Sequence, residues 1–236
     1  MMITIAIIPA AGMGVRMNAK VPKQFLELEG RPLLAITLEK FNSCSLIDGI
    51  ILVVPANDID FCNKEIVQKY NLKKVIRVTP GGARRQDSVR AGLMAIDREC
   101  DSVIIHDGVR PFVSPEIITN AIEAIRDERA VIVAIPAKDT VKKVNTEGYV
   151  VDTCNRKFMW QVQTPQVFRF DDICNAHKKA EAEGWDEVSD DAMLMERMGI
   201  PVKVVHGSDE NIKITTPQDL EYAEFLLEKN ENKLFN

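Results

Sequence analysis

The residues best equipped for chemistry follow the first apolar run, where Pro9 to Gln24 reads PAAGMGVRMNAKVPKQ. Gly12 and Gly14 permit positive φ and let backbone N–H groups reach an anion with no side chain between. Arg16, Lys20 and Lys23 lie in the same stretch, which holds no acid, although the chain as a whole carries a net charge of −5. Cations gathered against the global sign point to a polyanionic ligand. A P-loop is excluded, because GxxxxGK followed by Ser or Thr is absent, and Met17 stands where a dinucleotide fingerprint needs its third glycine. By itself the loop reads equally well as a tight turn. A second candidate is Asp107 in VIIHDGVRPF, immediately after an apolar run. A carboxylate beside phosphates is a natural Mg²⁺ ligand; the plainer reading is an acidic turn with Gly108. The five cysteines (Cys44, Cys62, Cys100, Cys154, Cys174) form no CxxC pair, and the three histidines no HExxH spacing. Reduced thiols are expected, and a zinc site is not.

These residues need a scaffold, and the chain alternates short apolar runs with helical patterns. Strands are expected at Ile3–Ile8, Gly49–Val54, Lys74–Val78, Ser102–His106, Ala130–Pro136 and Pro201–Val205, with helices near Pro32–Asn42, Ile59–Tyr70, Arg84–Arg98 and Pro115–Asp127. Runs such as IAII and VIVAI are apolar on both faces, as when helices cover both sides of a parallel sheet. The expected fold is therefore α/β: Rossmann-like, doubly wound and mostly parallel. Ligands of such sheets bind at the carboxyl ends of the strands, where the Pro9, His106–Pro111 and Pro136–Thr140 segments all fall. Asp139–Asn155 breaks the alternation with two extended runs around Thr-Glu-Gly, which predicts a projecting hairpin. Its Val141, Val144, Val150 and Val151 would need a partner surface, a second copy of the chain or the hairpin's own domain. A last helix is expected from Pro217 to Lys229 behind Thr216 as N-cap, with a frayed tail beyond.

At 236 residues the chain is expected to form a single domain over 1–236, with its β-arm at about 139–156. The content of 46% hydrophobic and 28% charged residues is ordinary for a folded protein. The acidic balance argues against nucleic-acid or membrane-surface binding. MMITIAIIPAAG has no basic leader and breaks at Pro9, so it reads as a buried strand, not a signal peptide. No apolar run approaches the roughly 20 residues of a membrane span. The expected compartment is the cytoplasm.

AAGMGVRM (Ala10–Met17) followed by PKQF (Pro22–Phe25) resembles the sugar- and polyol-phosphate cytidylyltransferases. The resemblance continues through GGARRQDSVRAGL (Gly81–Leu93), VIIHDGVRPF (Val103–Phe112), PAKDTVK (Pro136–Lys142), RKFMWQVQTPQVF (Arg156–Phe168) and NIKITTPQDL (Asn211–Leu220). It runs nearly end to end. Within the family it is nearest the branch whose acceptor is methylerythritol phosphate, in non-mevalonate isoprenoid biosynthesis. QDSV and DTCNR, the latter at Asp152–Arg156, lean away from the ribitol 5-phosphate branch, which is the nearest alternative. A catalytically silent nucleotide binder on the same scaffold is the alternative of a different class.

The resemblance implies transfer of CMP from CTP to the acceptor phosphate, with Mg²⁺ or another divalent cation as cofactor. It assigns Arg16, Lys23, Arg156 and Lys213 to catalysis. The nucleotide would lie against Pro9, Ala10, Ala11, Gly12, Met13 and Gly14, with Arg16, Lys23, Gly82, Arg85, Ser88 and Asp107. Carbonyls near Gly82 and the hydroxyl and N–H of Ser88 would read the base; the plainer reading of GGARRQDS is a helix start. Asp107 becomes the metal ligand, with Asp209 or Glu210 as a possible second carboxylate. Asp107, Arg110, Thr140, Arg156, Thr164 and Lys213 would hold the acceptor, Arg156 either within its own chain or from across a homodimer built on the arm. Ser189, in EVSDDAML, reads chiefly as an N-cap for the next helix.

Overall fold

The computed structural model describes residues 2–12, 22–186 and 188–234, without the side chains of the last five. Met13, Gly14, Arg16, Met17 and Lys20 lie outside the described residues.

The chain opens with β1 (Thr4–Pro9), then a small hairpin of β2 (Glu27–Leu28) and β3 (Arg31–Pro32). Next come α1 (Leu33–Ser43), β4 (Gly49–Val54) and α2 (Ile59–Phe61), the last continued as a π-helix over Cys62–Gln68. β5 (Val75–Pro80), α3 (Arg85–Met94), β6 (Ser102–Ile105), α4 (Pro115–Ala124) and β7 (Ala130–Pro136) follow. The arm holds β8 (Lys142–Val144) and β9 (Val150–Thr153). Beyond it lie β10 (Trp160–Arg169), α5 (Phe170–Ala182), α6 (Asp191–Arg197), β11 (Lys203–His206) and α7 (Pro217–Leu234).

Seven strands form one sheet in the order β11-β7-β10-β6-β1-β4-β5. All pair in parallel except β10, which runs antiparallel to both β6 and β7. The two-sided apolarity of β1 is used on both faces. Ala6 and Ile8 pack with Leu34 and Leu38 of α1 and Ile118 of α4, whereas Ile5 and Ile7 pack with Val89 of α3, Ile173 of α5 and Leu194 of α6. Helices thus cover both sides of a mostly parallel sheet, the doubly wound α/β arrangement expected. α3 approaches β1 closely because position 92 is glycine. A Cβ there would come within 2.6 Å of Ile7 Cγ2 and 3.1 Å of Val53 Cγ2.

All six expected strands form, with ends shifted by a residue or two. The unexpected one is β10, which lies between two partners although it contains Pro165. The pairing of β10 with β7 breaks register between Val162 and Gln166, so Pro165 sits where the ladder is already interrupted and its missing donor is tolerated. α5 and α6 were also unexpected. α6 is capped by Asp190, whose carboxylate accepts from the Met193 N–H at 3.1 Å; Ser189 is not the cap. Thr216 does cap α7, accepting from the Asp219 N–H at 3.3 Å while Asp219 accepts from the Thr216 N–H at 2.8 Å. That reciprocal pair is a capping box, and the helix runs to Leu234.

The hairpin forms as expected, with β8 and β9 antiparallel. Asn145 Oδ1 accepts from the Glu147 and Tyr149 N–H groups, and Gly148 takes φ +86° to close the turn. Every residue of both strands is exposed.

Candidate active site

The glycine-rich segments after β1 and β5 hang from the end of β4. Ala10 N–H donates to Val53 O at 2.7 Å, and Gly81 N–H to Val54 O at 2.8 Å. A cleft opens between them, walled by Pro9, Ala10, Ala11, Gly12, Lys23 and Gln24 on one side and by Gly82, Arg84, Arg85 and Ser88 on the other. Asp107, Val109 and Lys213 form its floor. Position 81 must be glycine for this closeness, since a Cβ would lie 2.4 Å from Ala11 Cβ and 2.7 Å from Ser88 Oγ. The Ser88 hydroxyl accepts from Gly82 N–H at 3.2 Å, and its own N–H is used by Arg84 O at 3.1 Å. Ser88 therefore shapes the loop, and its N–H serves the helix and not the cleft. Gln24, which sequence reasoning quoted only as part of PKQ, is buried in the wall with neither amide atom partnered.

Asp107 sits at the end of β6 and gathers three cations. Its Oδ1 accepts from Arg85 Nε at 3.0 Å, and its Oδ2 lies 2.9 Å from Lys213 Nζ and 3.6 Å from Arg110 Nε. Burial pushes the Asp107 carboxyl up, but Arg85, Lys213 and Arg110 hold it well below the usual carboxylate range. Arg85 reaches on to Asp191 Oδ2 at 2.6 Å. Burial alone would lower Arg85, and the two carboxylates keep it charged. Three cations against two carboxylates leave this centre with a positive surplus, in an acidic protein.

A neutral relay fixes the backbone beneath. The Asp107 N–H donates to Thr164 Oγ1 at 3.1 Å, and that hydroxyl is 3.1 Å from His106 Nδ1. His106 Nε2 faces Arg110 O at 3.1 Å, so the proton belongs on Nε2 and Thr164 donates to Nδ1. Burial lowers the His106 pKa to about 4, which keeps the ring neutral. Lys213 is placed by its neighbours: Asn211 donates to Thr164 O at 2.8 Å, and Arg110 Nη1 donates to Asn211 O at 2.7 Å.

A second cleft shares Arg85, Asp107 and Lys213 with the first and adds Arg110, Gln163, Thr164, Gln166, Asp190 and Glu196. Of the acceptor residues expected, Asp107, Arg110, Thr164 and Lys213 meet here. Thr140 and Arg156 do not: both are exposed on the arm, and Arg156 Nη1 donates to Lys138 O at 2.7 Å. The proposed second metal carboxylates are also elsewhere, Asp209 paired with Lys138 at 2.7 Å and Glu210 with Lys229 at 3.0 Å. No cluster of three or more His, Cys, Asp or Glu suited to a metal occurs among the described residues. Gln163, Gln166 and Asp190 were missed. Gln163 and Gln166 are three positions apart, a spacing that strand alternation puts on opposite faces; the register break between Val162 and Gln166, which no local pattern encodes, accompanies their meeting at one cleft.

Two clefts that share a cation–carboxylate wall, at the carboxyl ends of a doubly wound sheet, suit an α/β enzyme that acts on anionic ligands. Residues 4–229 match the model of the IspD family, 2-C-methyl-D-erythritol 4-phosphate cytidylyltransferase, and the chain belongs to that family. It is 47% identical to the 2-C-methyl-D-erythritol 4-phosphate cytidylyltransferase of Geobacter metallireducens, over 97% of this chain and 99% of that one. The enzyme of the same name from Alkaliphilus metalliredigens is 46% identical, over 96% and 93% of the two chains. The crystal structure of the 4-diphosphocytidyl-2C-methyl-D-erythritol synthase from Anaerococcus prevotii superposes with a TM-score of 0.85 at 40% identity, over 96% and 99%.

Proposed function

We propose that the chain transfers CMP from CTP to 2-C-methyl-D-erythritol 4-phosphate, releasing pyrophosphate, in non-mevalonate isoprenoid biosynthesis. The observation that carries this reading is the Arg85–Asp107–Lys213 wall common to both clefts. The triphosphate lies in the first cleft and the acceptor phosphate in the second. An acceptor oxygen forms a bond to the α-phosphorus as the bond from that phosphorus to the bridging β-phosphate oxygen breaks. A phosphate monoester is already largely dianionic at neutral pH, with its second pKa near 6, so no general base is required. The protein's task is to align two anions and offset their repulsion, which Lys23, Lys213, Arg85 and Arg110 suit.

Among the described residues Asp107 is the one carboxylate that lines both clefts, and Mg²⁺ accepts a single carboxylate when phosphate oxygens complete its shell. That donor set fits a cation carried in with the triphosphate, which Asp107 would hold together with phosphate oxygens. Its chemistry there would be to offset charge on the triphosphate.

We further propose a homodimer built on the arm, in which Thr140 and Arg156 serve the neighbour's second cleft. The support is the arm's apolar surface, with Val150 59% and Phe158 73% exposed, and the fact that neither residue lines either cleft of its own chain. A cytoplasmic, single-domain protein without nucleic-acid partners fits five free cysteines and the acidic charge. Among the described residues, no helix is long and apolar enough to cross a membrane. The test measures pyrophosphate release with the four nucleoside triphosphates against methylerythritol phosphate and ribitol 5-phosphate. CTP with the first acceptor should dominate; turnover with ribitol 5-phosphate alone, or none with Mg²⁺ present, would refute the proposal.

A further inference from the structure

Asp191 opens α6 and lines neither cleft. It is 1% exposed, and a buried carboxylate is costly unless it is paired. The helix does not need it, because Asp190 is the cap. Its hydrogen-bonded partner is Arg85 Nη1 at 2.6 Å, and His177 Nε2 lies 3.4 Å away without a hydrogen bond. Arg85 presents its Nε to Asp107 Oδ1 at 3.0 Å. One planar guanidinium is thus gripped by carboxylates at two edges, which fixes both its place and its orientation. Replacing a buried ion pair by apolar contacts is often neutral for stability, which leaves the orientation of Arg85 as the distinctive contribution of this charge.

We infer that Asp191 is a positioning residue for the transfer reaction, acting through Arg85 to fix the Asp107 carboxylate in the wall shared by the two clefts. This deepens the transferase reading and rests on it. Without the Asp191 charge, Arg85 is drawn wholly onto Asp107 and pulls that carboxylate from its place between the ligands. Binding of CTP is little affected, because the first cleft is lined by many residues besides these. Alignment of the two phosphates suffers.

The experiment is a double-mutant cycle of Asp191→Asn and Arg85→Gln, read by steady-state pyrophosphate release and by melting temperature. Asp191→Asn should lower kcat about tenfold and leave the KM for CTP within about twofold. In the Arg85→Gln background the same change should alter kcat less than about twofold, because the two residues act in series. Additive losses, or an unchanged kcat in Asp191→Asn, would overturn the inference. NMR of the Arg85 Nε–Hε group in the unsubstituted protein gives a second readout that does not depend on a variant folding. A slowly exchanging resonance is expected, and exchange as fast as that of surface arginines overturns the held guanidinium. An unsubstituted protein that releases no pyrophosphate with any acceptor refutes the transferase reading instead, with the NMR result still deciding the Asp191–Arg85 geometry.

Discussion

His106 shows how much the site depends on one proton being absent. Both ring nitrogens are spoken for, by Thr164 and by the Arg110 carbonyl, in a way that only the neutral ring satisfies. Its pKa falls from 6.5 to about 4 on folding, with burial the leading cause. Between those values the unfolded chain binds a proton that the folded chain refuses, so stability declines as the pH is lowered through this window. The loss amounts to roughly 3 kcal/mol by pH 4. Asp107 and Asp191 are held below the carboxylate range, and their contribution is present above about pH 4 and lost only in stronger acid. Urea unfolding from pH 7 to pH 4 should therefore show a slope that His106→Gln flattens; an equal slope in the variant assigns the proton to another group. Arg156 carries a prediction of a different kind. Arg156→Gln should raise the KM for the acceptor about tenfold or more while CTP binding by calorimetry is unchanged. Equal loss of both would end its assignment to the acceptor.

At the scale of elements, the close contact of α3 with β1 is the most exacting. Gly92→Ala places a methyl group against Ile7 and Val53, both on buried strands, and overpacking of this kind costs about 1–3 kcal/mol. Thermal unfolding should show the destabilisation, and an unchanged melting temperature would mean that α3 can shift outward freely. Elements that bury both faces were legible in the sequence because their apolar runs are unbroken, as in IAII, GIILVV and VIVAI. β10 was hidden by its chemistry. Its first half faces the second cleft and carries glutamines, and Pro165 reads as a strand breaker. α5 had a signal, since Ile173, Ala176, His177 and Ala180 are buried at helical spacing, but His177 disguised the apolar stripe. At the site, motif blocks led to Asp107, Arg110 and Lys213, which the fold brings together across long sequence separations. They did not lead to Asp191, whose role depends on a partner 106 positions away, a pairing that no local spacing encodes.

At the scale of the molecule, the proposed dimer would give the arm a purpose outside the single chain. A charge at the centre of its apolar surface should dissociate the proposed dimer. Val150→Asp is expected to sediment as a monomer with CTP binding intact and transfer reduced at least tenfold; a dimer that persists moves the interface elsewhere. The arm's place in the connectivity has a further consequence. β7 and β10 are antiparallel neighbours in the sheet, so residues 138–158, which join them, are an elaborated tip of one long β-ribbon. That tip closes tightly, with Ala137 N–H donating to Met159 O at 2.9 Å. The protein is thus divisible: a short turn joining Ala137 to Met159 should leave a folded monomer that still binds CTP, as followed by circular dichroism and calorimetry. Such a miniature would separate recognition of the nucleotide, which belongs to the sheet, from turnover, which would then belong to the assembly. Failure to fold would instead make the arm part of the scaffold.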